Sequence, residues 1–352
     1  MPAGPPRPTL AQVAAAAGVS PSTASKVLNG RPRISAETRR RVEAAIERLG
    51  YAPTTGPRAG TSPRSVVVVF RTLADVYALR VLEGVLAAAR AHDTEVLVDV
   101  LDTPAGGVVP LSPTWLRRQA ARHRTGIVVV TSEQTPEQEH LLRSLDLPVV
   151  HVDPANPLDD ATVSVGSTNF SGGVQATRHL LGLGHRRIAF AGGAPTFQPS
   201  AERLQGYLSA LRGAGVEVDE ALVRSRAHTF EAGVAMADDL LALAERPTAV
   251  FAASDSIALG ILASAQRHGV RVPQDLSVVG FDDTSAAVSS APALTTVRQP
   301  VVEMGRVALR TVLQLARGEA VDAHHVQLST TLVVRESTAP PASSAVDGQE
   351  GI

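Results

Sequence analysis

The chain has 352 residues, with 33 Lys and Arg against 34 Asp and Glu and 44% hydrophobic residues, a composition that excludes disorder over the whole length. It contains no cysteine, which excludes disulfides, thiolate metal sites and cysteine nucleophiles. No apolar run resembles a signal-peptide core or approaches the ~18 residues of a membrane span, so we expect a cytoplasmic protein with no membrane partner.

Charge is distributed unevenly along the chain. Residues 1–64 hold ten basic and three acidic side chains, a net charge of +7, whereas the remaining 23 basic and 31 acidic side chains give −8. A basic head on an acidic body favours a polyanion partner for the head, because neutralising phosphates releases counterions. The alternative interpretation is a solvated charged surface.

The head carries local signals for three short helices. Thr9 and Gln12 have capping-box spacing, Ser20 precedes Pro21 at a second helix start, and Ser35 can cap a third helix. Two short helices joined by a glycine-containing turn predict a helix-turn-helix DNA reader, although a small three-helix bundle of another kind would show the same caps. The expected helices span about residues 10–17, 21–28 and 36–49.

Residues 9–53, TLAQVAAAAGVSPSTASKVLNGRPRISAETRRRVEAAIERLGYAP, resemble the DNA-binding domain of the LacI family of bacterial transcription regulators. Ala24 stands where that family usually has valine. The resemblance implies a DNA-binding domain over residues 1–53 whose second helix enters the major groove. It implies base contacts from Pro21, Ser22 and Lys26, and phosphate contacts from Thr9, Ser20, Thr23, Ser25, Asn29 and Thr38.

The chemistry of the base-facing residues limits what they can specify. Pro21 has no donor and only packs, and Ser22 can pair with several base edges. Lys26 favours guanine O6 and N7, a contact worth roughly 1–3 kcal/mol. We therefore expect specificity to depend mainly on Lys26, the alternative being that Lys26 contacts phosphate only.

Residues 54–64 are rich in Pro, Gly, Ser and Thr and predict a flexible linker. In the LacI family this segment usually folds on DNA into a hinge helix whose leucine enters the minor groove. Here Gly56 and Pro57 disfavour a helix, and no leucine occurs between Tyr51 and Arg64. Arg58 remains a candidate for a minor-groove contact, and a disordered positive linker is the alternative.

The body, from Ser65 onward, alternates short Val, Ile and Ala runs with helical segments. This pattern predicts an α/β fold of doubly wound parallel sheets, divided near residues 160–166 into two lobes with a ligand cleft between them. The expected strands span residues 66–70, 95–100, 126–130, 148–153, 187–193, 248–254 and 276–283. The expected helices span residues 77–91, 113–122, 136–144, 172–183, 201–213 and 256–268.

The resemblance extends into the body. SVGSTNFSGG from residue 164 and VPQDLSVVGFDD from residue 272 are similar to segments of LacI-family effector domains, which share the two-lobed fold of periplasmic sugar-binding proteins. It implies an effector-binding and dimerisation domain over residues 65–338, followed by a disordered tail over residues 339–352. It also implies that the chain crosses between the lobes near residues 163, 295 and 325.

The resemblance implies a set of effector contacts whose chemistry suits a sugar. Carboxylates and Asn bond to hydroxyls, an Arg offers several donors, and aromatic faces pack against sugar C–H groups. Alternatives stay open: Asp255 caps a helix, Arg203 forms an interlobe salt bridge, and Tyr77 and Phe170 belong to the core. The expected effector-binding residues are Asp75, Tyr77, Asn169, Phe170, Arg203, His228, Phe230, Asp255 and Asp282.

Motifs of common enzyme classes are missing from the sequence: no P-loop, H-E-x-x-H, G-x-S-x-G or dinucleotide-binding glycine motif occurs. His324 and His325 near Asp322 are interpreted as surface residues, and we expect no metal, no cofactor and no enzyme activity. We predict a repressor that binds a pseudo-palindromic double-stranded DNA operator as a homodimer and is released by a small carbohydrate. The alternatives are a cytoplasmic carbohydrate-binding protein without specific DNA readout and, with no acid–base pair to support it, a sugar-processing enzyme.

Overall fold

The structure is a computed structural model that describes residues 9–28, 34–49, 64–101 and 111–342. The chain divides into two compact units, residues 1–64 and residues 65–352, called here the head and the body. Across the described segments, no helix combines the length and apolar character needed to cross a membrane.

The head contains the three predicted helices, α1 (Leu10–Ala17), α2 (Pro21–Leu28) and α3 (Ala36–Leu49). Gln12 and Thr9 form the predicted capping box, and Gly18, at φ 63°, ends α1. The small core is built from Val and Ala, and Ala24 lies fully inside it. Arg41 of α3 donates to the carbonyl of Ala17 and so satisfies the exposed end of α1.

The body consists of two lobes, each built on a six-stranded sheet. The elements of lobe 1 are β1 (Arg64–Phe70), α4 (Val76–Ala91), β2 (Thr94–Val100), α5 (Pro113–Ala121), β3 (Gly126–Val130), α6 (Pro136–Ser144), β4 (Val149–Val152) and β5 (Val163–Ser167). Lobe 2 holds α7 (Asn169–Gly182), β6 (Ile188–Gly192), α8 (Gln198–Gly213), β7 (Val223–Ser225), α9 (Phe230–Leu241), β8 (Ala249–Ala252), α10 (Asp255–Arg267), β9 (Ser277–Asp282), α11 (Ser285–Ser289) and β10 (Thr295–Arg298). The chain then returns through α12 (Val301–Ala316), β11 (His325–Leu328) and β12 (Thr331–Val333).

The strand order confirms the doubly wound fold class. Lobe 1 is ordered β11-β5-β4-β3-β1-β2 and lobe 2 is ordered β12-β10-β9-β8-β6-β7, so both repeat one winding pattern. Edge strand β12 is antiparallel to β10, a departure from the all-parallel prediction. In such sheets ligands bind beyond the carboxyl ends of the strands where the winding reverses, here between β1 and β3 and between β6 and β8.

The chain crosses between the lobes after β5, after β10 and after β11, a few residues beyond each predicted position. As a result, α12 packs against α4 in lobe 1, although it follows β10 of lobe 2. Strands β5, β10, β11 and β12 lie at the crossings, and the apolar-run pattern did not predict them because each is short or polar.

Paired glycines let three pairs of helices approach closely. A Cβ atom on Gly173 of α7 would lie 2.3 Å from the Arg203 carbonyl oxygen of α8, and one on Gly206 of α8 would lie 2.2 Å from the Phe170 carbonyl oxygen. Gly84 and Gly305 play the same part between α4 and α12, as do Gly233 and Gly260 between α9 and α10. The contact of α7 with α8 positions the cleft, because it sets the start of α7 against Arg203.

Candidate functional sites

The head presents an exposed surface at the start of α2. Pro21, Ser22 and Lys26, the predicted base-facing residues, are all exposed. The Ser20 hydroxyl accepts a hydrogen bond from the Thr23 amide at 3.1 Å, which caps α2 and fixes its first turn. Ser22 and Lys26 therefore offer exposed donors on α2, as the prediction of a major-groove helix requires.

The predicted phosphate-facing residues include helix caps. Thr9 caps α1, and Thr38 donates its amide to the Ser35 hydroxyl at 3.2 Å. Thr23 and Ser25 lie half-buried on α2. Asn29 and Arg58 lie outside the described residues. The DNA contacts of this whole set stay predictions.

The lobe 1 side of the cleft is built from the start of α4 and the end of β4. The Asp75 carboxylate caps α4 by accepting from the Tyr77 amide at 3.0 Å. The buried Tyr77 hydroxyl donates to Asp153 Oδ2 at 2.5 Å. Asp153, at φ 43°, follows β4 directly, so both polar groups lie at the carboxyl end of the sheet.

The electrostatics of this pair reflect its burial. Burial raises the pKa of Asp153, while the Tyr77 hydrogen bond and the positive charge of Arg203 act in the opposite direction. Burial and the neighbouring Asp153 carboxylate raise the pKa of Tyr77 well above 10, so the phenol stays a donor. The carboxylate, which accepts from the Tyr77 phenol and from the Ser167 backbone, keeps capacity to accept further hydroxyl donors.

Replacing Tyr77 with Phe is expected to lower the free energy of unfolding by about 1.5–3 kcal/mol at pH 7, because a buried carboxylate loses a donor. Without that donor the folded-state pKa of Asp153 rises further, so the loss becomes smaller as pH falls and the carboxyl group is protonated. Denaturant unfolding at pH 7 and pH 5 measures the difference. Tyr207→Phe is the matched control, since Tyr207 donates to the neutral Ile188 carbonyl at 2.8 Å and its loss should not depend on pH. A Tyr77→Phe loss of equal size at both pH values would contradict the assignment.

Arg203 of α8 is the central side chain on the lobe 2 side and is only 4% exposed. Its Nε donates to Asn169 Oδ1 at 2.9 Å, and its Nη1 donates to the Ala253 carbonyl at 2.6 Å. The guanidinium carbon lies 3.8 Å from the centre of the Phe281 ring, and Nη1 lies 3.8 Å from Asp282 Oδ1. Arg203 is therefore a rigid buried cation, and its ion pair with Asp282 lies within lobe 2 rather than between the lobes.

Asp282 ends β9 and connects to lobe 1 through two polar side chains. Gln299 donates to Asp282 Oδ1 at 2.6 Å and accepts from the Ser167 hydroxyl of β5 at 2.6 Å. Burial raises the pKa of Asp282 well above its usual range, and Arg203 opposes that shift. Sequence reasoning missed Gln299, because nothing in its residue type or spacing marks it. Sequence reasoning ended a predicted strand at Asp153 but did not assign Asp153 to the site.

His228 lies against lobe 2, where a Cβ on Gly193 would be 1.9 Å from its Nε2. Its ring packs edge-on against Phe197 with centroids 5.1 Å apart. Nε2 is buried and has no hydrogen-bond partner among the described residues. Burial, with the charges of Arg203 and Arg71, lowers the pKa of His228 to about 3, so the ring is neutral.

Three predicted effector residues, Asp255, Phe170 and Phe230, differ from the others in how deeply they are buried. Asp255 is fully buried inside lobe 2, where it accepts from the Thr296 hydroxyl at 2.6 Å and from the Thr284 amide at 2.7 Å. Ser254, not Asp255, caps α10. We leave Asp255 out of the proposed site because its carboxylate is buried and already accepts from Thr296 and Thr284. Phe170 and Phe230 begin α7 and α9, and both are exposed, at 46% and 44%.

Comparisons with known proteins agree with this geometry. The family model described as "Bacterial regulatory proteins, lacI family" matches residues 9–54, and that described as "Periplasmic binding protein-like domain" matches residues 177–338. The HTH-type transcriptional regulator CelR of Thermobifida fusca is 36% identical over 336 residues, covering 94% of this chain and 98% of the relative. Catabolite control protein A of Priestia megaterium is 30% identical, covering 94% of this chain and 99% of the relative.

Solved structures extend the comparison to three dimensions. A complex of transcriptional regulator CelR with cellobiose matches with a TM-score of 0.70 and 33% identity, covering 94% of this chain and 100% of the other. A lac repressor dimer bound to operator and the anti-inducer ONPF matches with a TM-score of 0.70 and 27% identity, covering 95% of this chain and 100% of the other. The relatives are transcription regulators rather than enzymes.

Proposed function

The chain belongs to the LacI family of bacterial regulatory proteins, and we propose that it is a cytoplasmic transcription repressor that a neutral sugar releases from a pseudo-palindromic operator. The observation that carries this proposal is the presence, in one chain, of an exposed helix-turn-helix surface and a two-lobed body with buried polar groups between its lobes. An enzyme needs no such DNA-reading surface, and a simple carbohydrate-binding protein needs no such head.

The head supplies the affinity for DNA and the sequence readout. Lys26 gives the base-reading donor, and the net positive charge of residues 1–64 supplies attraction to phosphates that does not depend on sequence. Two heads in a homodimer would read the two halves of the operator, because a two-fold dimer requires two-fold DNA.

The cleft supplies the effector site. Asp153 and Tyr77 approach the ligand from lobe 1, while Arg203, Asp282 and Asn169 approach it from lobe 2. Carboxylates outnumber the one buried guanidinium, an arrangement that suits the hydroxyls of a neutral sugar and disfavours a phosphorylated one. The CelR relative is described in complex with cellobiose, which supports a carbohydrate of this class.

Release of the operator DNA by the sugar follows from the two-lobed arrangement of the body. A ligand that bonds to Asp153 and Arg203 together is bound only when the lobes are at one separation, so it shifts the population toward that closure. Because Ser167 ends β5 and Gln299 follows β10, both beside the crossings, the change in closure passes through the connections between the lobes. A change at the dimer surface then repositions the heads. The effector site and the DNA-binding surface are thereby coupled through one two-state element.

Lobe 1 also carries the surface that we assign to the homodimer. Apolar side chains on neighbouring elements α4 and β2 are exposed, among them Leu79 at 49% and Val98 at 42%. Strand β2 has both half-buried and exposed residues, whereas a strand inside a covered sheet would be buried on both faces. Exposed apolar side chains on two neighbouring elements are typical of an interaction site.

Replacing Leu79 with Ser is expected to raise the dimer dissociation constant roughly 30-fold, because about 1 kcal/mol of apolar burial is lost from each of two subunits. Sedimentation velocity over a concentration series measures the shift. Val334→Ser is the control, since Val334 is 58% exposed and lies outside α4 and β2. An unchanged dissociation constant in Leu79→Ser, or an equal change in the control, would remove this face from the dimer.

The whole proposal is tested by selecting duplexes from a random DNA library, then titrating salt and sugars against the best site. We expect a pseudo-palindrome bound at about 10⁻⁸ M or tighter, with affinity falling steeply as salt rises and with release by a neutral sugar. Recovery of no motif, together with sugar binding, would instead favour a carbohydrate-binding protein without specific DNA readout. Operator binding that no sugar changes would contradict the effector site alone.

A further inference from the structure

A second cavity lies in lobe 1, between α6 and the chain segment that joins β4 to β5. Its volume is about 290 Å³, near the lower end of the range for small-molecule sites. Polar and charged side chains line it beside apolar ones, which include Leu142 and Leu147, from α6 and the residues after it, and Leu315 from α12. None of Tyr77, Asp153, Arg203 and Asp282 lines it, so it is separate from the cleft described above.

Two polar side chains in the walls of this cavity have unused hydrogen-bonding atoms. Gln134 is 4% exposed and His151 is 1% exposed. Both amide atoms of Gln134 and both ring nitrogens of His151 are buried and have no hydrogen-bond partner among the described residues. Four orphan polar atoms in one cavity are unusual, because each buried unsatisfied group costs about 1–3 kcal/mol.

The backbone holds both side chains in place. His151 lies in the middle of β4, paired with Val129 on one side and Ser164 on the other. The backbone N–H of Gln134 donates to Asn156 Oδ1 at 2.8 Å, and Asn156 Nδ2 donates back to the backbone carbonyl of Gln134 at 2.9 Å. Strand pairing therefore fixes His151, and the hydrogen bonds with Asn156 fix Gln134. Neither side chain can easily turn toward solvent.

The charge around the cavity narrows the class of ligand. Burial lowers the pKa of His151 to about 4, so the ring is neutral at physiological pH and offers one donor and one acceptor. At the rim, Arg143 pairs with Asp159 at 3.1 Å, while Glu139 and Asp146 add negative charge. An anion would meet an acidic rim and no free cation in the lining, whereas a neutral group with its own donor and acceptor would satisfy Gln134 and His151 together.

We propose that this cavity binds a small neutral molecule in which an amide or an azole, carried on an apolar body, bonds to Gln134 and His151. The apolar side chains of the lining contact the body of the ligand, and the paired donors and acceptors orient its polar group. The site lies against α6 and Leu315 of α12, and α12 also packs on α4 of the dimer face. A ligand here would therefore touch the same helix layer that carries the dimer surface.

The test compares three probes of one shape, benzamide, benzoate and toluene, by saturation-transfer NMR on the full chain. We expect saturable binding of benzamide and at least tenfold weaker binding of the charged and the apolar probe. Gln134→Leu and His151→Leu should each weaken benzamide binding at least tenfold. Both should fold, since an apolar residue replaces an unsatisfied buried group. Val334→Ala, at an exposed position outside both the cleft and this cavity, is the control and should leave benzamide binding unchanged.

A crystal soaked with 4-bromobenzamide gives a readout that needs no variant. A bromine anomalous peak in this cavity, with the amide within hydrogen-bond distance of Gln134 and His151, would support the proposal. Ordered water alone on those atoms, or benzamide binding that neither variant weakens, would overturn it. Equal binding of toluene would also overturn it, because the polar recognition would then be absent.

Discussion

Lys26→Ala is expected to remove most of the discrimination between operator and random DNA. A bidentate contact to guanine is worth about 1–3 kcal/mol, and a homodimer makes it twice, so operator affinity should fall by about 2–6 kcal/mol, or roughly 30-fold to 10⁴-fold. The effect is large because the neighbouring base-facing residues, Pro21 and Ser22, add little discrimination of their own. Fold stability should be unchanged, since Lys26 is exposed and lies outside the core of the head.

Arg48→Ala is the matched control for this prediction. Arg48 is exposed on α3, and its replacement removes the same charge without touching α2. Fluorescence anisotropy with operator and scrambled duplexes, over a salt series, separates the two roles. Lys26→Ala should lower operator affinity far more than scrambled-duplex affinity, whereas Arg48→Ala should lower both equally. Equal losses on both duplexes for Lys26→Ala would assign Lys26 to phosphate contact instead.

The fold was largely predictable because its signals are local and repeated. Capping residues such as Thr9 and Ser20 set helix starts within one turn, and continuous Val and Ile runs identify buried parallel strands wherever they lie. Strands β11 and β12 were not predicted, because they sit at lobe crossings and their residues satisfy a partner strand distant in sequence. Their identity depends on tertiary pairing rather than on their own pattern.

The site was predictable only in part. Asp282 falls in a quoted segment that carries the family resemblance, the resemblance also implied Arg203, and the structure places the two side chains 3.8 Å apart. Gln299 carries no signal in the sequence, since its role arises only when its side chain bonds to both Ser167 of lobe 1 and Asp282 of lobe 2. The roles of Gln134 and His151 could not be predicted for the same reason. A buried polar group without a partner is recognised only from its three-dimensional contacts.

Arg203→Met is expected to lower the free energy of unfolding of the body by about 3–5 kcal/mol at pH 7, because it leaves a buried carboxylate without its cation. The folded-state pKa of Asp282 is already raised by burial and would rise further. A carboxyl group with a raised folded-state pKa favours folding at low pH and opposes it as pH rises, so the loss should shrink in acid. Arg226→Met is the control: its surface ion pair with Asp239, at 3.0 Å, should contribute less than about 1 kcal/mol.

The double variant Arg203→Met/Asp282→Asn separates stability from ligand binding. Removing both charges should restore much of the unfolding free energy, since no uncompensated ion remains at that position. The sugar response should not return, because the cleft has lost the donors and the acceptor that would meet hydroxyls on the lobe 2 side. Denaturant unfolding and sugar-dependent release of operator DNA are measured on the same preparations. A double variant that unfolds like the parent and still releases DNA with the same sugar would show that the effector binds elsewhere, because a purely structural ion pair is the only role then left for Arg203 and Asp282.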